Sequence, residues 1–251
     1  GWAGQRRVGD GLITVGVVIP AHNEAERIGD AISAVKRACA QVHASCVVVV
    51  VDDHSTDGTA ALARRALAQF DGVAAVVTGQ FGRASAARRA GVDRFRSFVS
   101  DPANTWLLST DADSVVPDTW IESYLDHHRR GAAAVAGIVD LTDDDDGRLI
   151  AHRWRGDYRA TLADDLSHPH VHAANLGIRF DVYDEVGGFG DRDRIEDIAL
   201  WRRVRGGGHA TVSDASIVVA TSARMTGRVQ LGFGFASALG RLYGDRDVAV
   251  G

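Results

Sequence analysis

TVGVVIPAHNE, residues 14–24, is a β-branched apolar run that stops at Pro20 and passes straight into polar residues. A strand with no alternation of polar and apolar residues belongs in a sheet covered on both faces. The next segment suits a crossover. Over residues 25–40, Ile28, Ala31, Ile32 and Val35 recur at helical spacing and give one apolar face. The run at 46–51, CVVVVV, then reads as a second fully buried strand, and it ends abruptly in Asp52 and Asp53.

The alternation continues. A helix capped by Thr56 or Asp57 runs to about residue 70, followed by a strand at 73–78, a helix at 84–98, a strand at 105–109, a helix at 118–130 behind Pro117, and a strand at 133–140. This βαβ series predicts an α/β fold with a mostly parallel central sheet flanked by helices. Ligands in such folds bind beyond the carboxyl ends of the strands. From about residue 141 the pattern loosens. The four aspartates at 143–146 read as a solvated loop, and the glycine-containing stretch at 228–241 has no assigned role.

The chain has 251 residues, 45% of them apolar, which suits one substantial core and hence a single domain. A net charge of -5 argues against nucleic-acid binding, which needs a concentrated basic face. Lys36 is the only lysine among many arginines, as expected of codon bias in a GC-rich bacterial genome. Cys39 and Cys46 have no metal-ligand spacing and are expected to be reduced and structural. No apolar run is long enough to cross a bilayer. The expectation is a cytoplasmic protein, with room for peripheral association at the inner face of the membrane.

Acidic residues gather where three strands end: Glu24, then Asp52, Asp53 and Asp57, then Asp111 and Asp113. Carboxylates so close repel one another unless a cation or ligand donors neutralise them. Asp111-Ala112-Asp113 follows the strand at 105–109, and alternate residues of an extended segment point the same way, so both carboxylates can reach one cation. Magnesium or manganese takes few carboxylates and completes its shell with water and phosphate oxygens, which suits a nucleotide diphosphate. His168, His170 and His172 alternate as on a strand. They are expected to line a pocket wall by hydrogen bonding, with metal binding by His170 or His172 as the lesser alternative.

The motifs VVIPAHNE (17–24), VDDHSTDGT (51–59), GRASAARRAGV (82–92), TDADS (110–114), and the stretch 175–188 followed by Glu196-Asp197 resemble family 2 glycosyltransferases of the GT-A fold. The resemblance runs from about residue 15 to 219. It implies a Rossmann-like nucleotide-sugar-binding half at 14–115 and an acceptor-binding half with the catalytic base at 116–251, within one domain spanning 1–251. It further implies that Pro20, His22 and Glu24 border the nucleotide, that His22 stacks on the base, and that Asp53 accepts from the base edge. Arg83 and Arg88 would lie near the phosphates or sugar, Asp111 and Ala112 would contact the donor, and Asp113 with Asp111 would hold Mn2+ or Mg2+. Asn175, Gly177 and Glu196 would shape the acceptor and sugar pocket, and Asp197 would be the general base.

The implied activity is transfer of a hexosyl group, with inversion, from a nucleotide-diphosphate sugar to an acceptor hydroxyl, UDP- or GDP-sugars being the default donors. A Gln-x-x-Arg-Trp motif is absent, which favours single transfer over polymerisation. Arg224 and Arg228 could close over the diphosphate or be ordinary surface residues. Two other readings stand beside this one: a noncatalytic nucleotide-sugar-binding relative, and a sugar nucleotidyltransferase, whose glycine-rich basic N-terminal loop is missing. P-loop and GxGxxG signatures are also missing.

Overall fold

The computed structural model describes residues 12–142, 158–190 and 195–222. The acidic run at 143–146, Arg224, Arg228 and the stretch at 228–241 lie outside them.

The expected α/β series is present. In chain order the strands and helices are β1 (Thr14–Ala21), α1 (Ile28–Ala40), β2 (Ser45–Asp53), α2 (Thr59–Leu67), β3 (Val73–Gly79), α3 (Ala84–Arg96), β4 (Thr105–Ser109), β5 (Ser114–Val115), α4 (Trp120–Arg129), β6 (Ala134–Leu141), β7 (Leu176–Arg179), α5 (Phe180–Glu185), α6 (Glu196–Gly206) and β8 (Thr211–Thr221). Sheet order is β3-β2-β1-β4-β7-β6-β8-β5. The first four strands in that order are mutually parallel, β7 runs antiparallel to both β4 and β6, and β8 is parallel to β6.

Successive residues of a strand face opposite sides, and the core divides accordingly. Val15, Val17 and Ile19 of β1 pack with Ile28, Ile32 and Val35 of α1, Leu67 of α2, and Trp120 and Tyr124 of α4. Val18 faces the other way, with Val92 and Phe95 of α3, Phe180 of α5, and Leu200 and Trp201 of α6. The result is a sheet sandwiched between two helical layers. Gly91 lets α3 lie close, since a Cβ there would stand 2.5 Å from Val18 Cγ1 and 2.8 Å from Val51 Cγ2. Cys39 and Cys46 are buried free thiols, as expected, and their mutual hydrogen bond together with burial pushes the Cys39 thiol up.

Several element boundaries shift by one to three residues from the sequence expectation, and three of the shifts have a clear local cause. β2 continues through Asp52 and Asp53 because β3 extends to Thr78 and Gly79 and keeps the ladder going. α1 starts three residues later than expected, after a turn in which the Glu24 carbonyl accepts from the Arg27 and Ile28 N–H groups at 3.0 and 2.8 Å. α2 starts at Thr59, behind Gly58 at φ 90, and the Thr59 N–H donates to Asp57 Oδ1 at 3.1 Å.

Candidate functional site

The carboxyl ends of β1, β2 and β4 form one edge, and the loops leaving it are tied to one another. From the β1 loop, the Asn23 N–H donates to Ser55 Oγ at 2.7 Å, and Asn23 Oδ1 accepts from the Thr56 N–H at 2.7 Å. The Glu24 N–H donates to Thr59 Oγ1 at 2.7 Å, and the Ala25 N–H to Asp57 Oδ2 at 3.1 Å. Asn23 adopts φ 54, a left-handed conformation that Asn tolerates better than most residues. His22 Nδ1 lies 2.5 Å from the Asp53 carbonyl oxygen, which can only accept, so the proton sits on Nδ1. Asp53 Oδ1 accepts from the Phe81 and Gly82 N–H groups at 2.5 and 3.1 Å, which draws in the loop after β3. Pro20, His22, Glu24 and Asp53 thus share this edge, and Arg83 stands exposed at the start of α3 nearby.

Arg88, which the resemblance puts near the phosphates or sugar, is a buried side chain in the structure. It is 4% exposed, and its guanidinium reaches three elements: Nε donates to Ser109 Oγ at 3.2 Å, Nη1 to Glu196 Oε1 at 2.7 Å, and Nη2 to Asp111 Oδ1. Burial disfavours the cation, but the carboxylates of Asp111, Glu196 and Asp197 outweigh it and hold Arg88 above its ordinary value. Burial pushes the Glu196 carboxyl up, with Arg88 opposing. The sequence does carry a signal for this placement, because Arg88 falls on the same helical stripe as Gly91, Val92 and Phe95, which face the sheet.

Asp197, in the first turn of α6, is 7% exposed. Its Oδ2 accepts from the Ala173 N–H at 3.1 Å, and its Oδ1 from the Ile198 N–H at 2.8 Å. Glu196 beside it is held by Arg88, so the structure brings Asp111, Glu196 and Asp197 together. Asn175 ends the short helical turn that leads into β7, and Gly177 lies within β7. Asn175 is fully buried: its Oδ1 accepts from Trp120 Nε1 at 2.9 Å and Tyr124 Oη at 2.8 Å, and its Nδ2 donates to the Ile138 and Ile217 carbonyls at 2.7 and 2.9 Å. Gly177 lies in β7, where a Cβ would stand 2.5 Å from Tyr124 Cδ1 and 2.6 Å from Leu108 Cδ2. Both residues therefore help set the shape of the sheet around them.

The three histidines do face one way. The His168 and His170 rings lie 6.0 Å apart, as do those of His170 and His172, and the Tyr158 ring stacks on His170 at 3.9 Å. His172 Nε2 pairs with Tyr158 Oη at 3.0 Å, and His170 Nε2 with Thr161 Oγ1 at 2.5 Å. Burial lowers the His168 imidazole. Among the described residues no group of three or more His, Cys, Asp or Glu side chains is arranged to hold a metal ion. The acidic turn still suits a hard cation that needs only one or two carboxylates. Ala112 is buried between Asp111 and Asp113, the Asp111 side chain keeps 34% exposure despite Arg88, and Asp113 is half-buried. Thr221 Oγ1 approaches Asp113 Oδ1 at 3.5 Å, and the Ser222 N–H donates to the Asp113 carbonyl at 3.2 Å, so β8 ends at this turn.

Residues 16–187 match the model of glycosyl transferase family 2, which is more than half of the chain. The chain belongs to glycosyl transferase family 2. One curated relative, glycosyltransferase AglE of Haloferax volcanii, is 28% identical over 185 residues, covering 70% of this chain and 55% of the relative. Among solved structures, the mannosyltransferase PcManGT from Pyrobaculum calidifontis, in complex with GDP-Man and Mn2+, superposes with a TM-score of 0.60 at 18% identity, covering 85% of this chain and 58% of that one. TarS 1-349 of S. aureus, in complex with UDP-GlcNAc, gives 0.64 at 11% identity, covering 91% and 65%. These neighbours share the GT-A fold with this family 2 chain, which spans 55 to 65% of the length of the relatives it matches. Among the described residues no helix is long and apolar enough to cross a membrane.

Proposed function

We propose that this family 2 chain is an inverting glycosyltransferase that moves one hexosyl unit from a nucleotide-diphosphate sugar to an acceptor hydroxyl. The observation that carries the reading is the buried link from Asp111 through Arg88 to Glu196, because it brings the turn with Asp113 and the helix start with Asp197 to one edge of the sheet. Residues 14–115 would bind the donor, and residues 116–251 would receive the acceptor.

In this reading Pro20, His22, Glu24 and Asp53 border the nucleotide, and Asp53 meets the base with the part of its carboxylate not bound to the Phe81 and Gly82 amides. Asp113, with Asp111, would hold Mn2+ or Mg2+, which when bound stabilises charge on the departing diphosphate. Asp197 takes the proton of the acceptor hydroxyl while that oxygen attacks the anomeric carbon from the face opposite the diphosphate, giving inversion in one step. Its two amide contacts orient the carboxylate before the acceptor arrives. The GDP-Man and UDP-GlcNAc bound by two fold neighbours make GDP- and UDP-sugars the donors to try first.

The test is calorimetric titration of GDP-mannose and UDP-GlcNAc into the protein with Mn2+ or with EDTA, then release of free nucleotide diphosphate in the presence of hydroxyl acceptors. Metal-dependent binding of one donor and formation of an inverted product are expected. Metal-dependent binding without turnover on any acceptor would instead favour a noncatalytic binding role. Mass spectrometry of the product checks that one sugar is added.

A further inference from the structure

We infer that Arg88 is a positioning residue for transfer: its buried guanidinium clamps Glu196, and with it the helix start that carries Asp197, to Asp111 on the donor side. The inference rests on the function proposed above.

Three observations carry it. First, Arg88 has partners on three separate elements, Ser109 at the end of β4, Asp111 in the turn after it, and Glu196 in the first turn of α6. A planar guanidinium fixes the separation of two carboxylates in a way that a point charge on a flexible stem does not. Second, α6 does not need Arg88 in order to attach to the domain. Leu200, Trp201 and Val204 anchor its later turns in the core. What Arg88 adds is confined to the first turn, where Asp197 sits. Third, a buried ion network is a poor device for stability alone, since apolar residues of the same volume serve as well, whereas it can specify one geometry. Placement matters here, because a displacement of about 1 Å in a catalytic group can lower a rate about 100-fold. Arg88 touches neither donor nor acceptor in this role. It acts through Glu196 and Asp111.

The experiment compares wild type, Arg88→Met, Arg88→Lys and Glu196→Ala in the full chain, with Mn2+ and with GDP-mannose and UDP-GlcNAc as probe donors, reading turnover and donor KM. Arg88→Met should lower kcat about 100-fold while donor KM stays within about threefold, and Arg88→Lys should recover about tenfold by restoring the charge without the fork. Glu196→Ala releases the clamp from its other end and should show the same split, which keeps the test decisive if Arg88→Met does not fold. A kcat within about threefold of wild type in the variants that fold, or a donor KM that rises as kcat falls, overturns the clamp. Crystal structures of wild type and Arg88→Lys supply a readout independent of turnover: the clamp requires the first turn of α6 to shift, and an unmoved turn overturns it. A wild-type protein that binds neither donor counts against the proposed function, whereas an active wild type with unaffected variants counts against the clamp alone.

Discussion

The Ala173 N–H donates to Asp197 Oδ2 at 3.1 Å, joining the turn before β7 to the first turn of α6. A carboxylate held this way has its direction set before substrate binds. Asp197→Asn keeps the shape and removes the basicity. Turnover should fall about 10²- to 10⁴-fold, the usual contribution of a general base, while donor affinity by calorimetry changes little. A near-normal rate would place the base elsewhere.

Asp113→Ala should act on binding. If Asp113 is the direct ligand of the divalent cation, the variant binds GDP-mannose or UDP-GlcNAc equally weakly with Mn2+ and with EDTA, and the melting-temperature rise that a ligand of the native state produces should vanish. A Mn2+-dependent shift that survives the substitution would assign the cation to Asp111 or to another group.

Asn175→Ala should damage the fold. It strands Trp120 Nε1 and Tyr124 Oη in the core and leaves the Ile138 and Ile217 carbonyls short of a donor. With about 1–3 kcal/mol for each buried group left unsatisfied, a loss of about 4 kcal/mol or more is expected, read as a lower urea midpoint at unchanged slope.

The acid limb of stability should depend on Asp214. Burial raises its pKa, but the bonds from Ser216 and from His127, at 2.8 Å, outweigh burial and hold it below the ordinary aspartate value. A depressed folded pKa stabilises the native state above the ordinary carboxylate range, and that contribution is lost as pH falls through the folded value. Asp214→Asn should therefore lower the melting temperature at pH 7 and flatten its decline below about pH 4.

How much of this is legible in the sequence depends on whether the cause is local. β1, β2, β4 and α1 are readable because apolar runs and helical stripes are properties of consecutive residues. β7 is not. It is four residues long, contains Gly177, and owes its existence to partners on β4 and β6. Asn175 stands in a motif that implies the acceptor and sugar pocket, yet its partners lie 37 to 55 positions away, out of reach of any short pattern. Arg88 draws notice in the sequence as a charge and not as a buried position, although the apolar stripe of α3 runs through it.

β7 carries one more consequence. Four residue pairs bind it to β4 and three bind it to β6, so the strand that leads to Asp111 and the strands on the far side belong to a single hydrogen-bonded ladder. Neighbouring strands in such a ladder stand about 4.8 Å apart and do not swing on a hinge. The two flanks of the edge are consequently spaced like teeth on one comb, so their separation is set by the ladder and not by the segments that leave it.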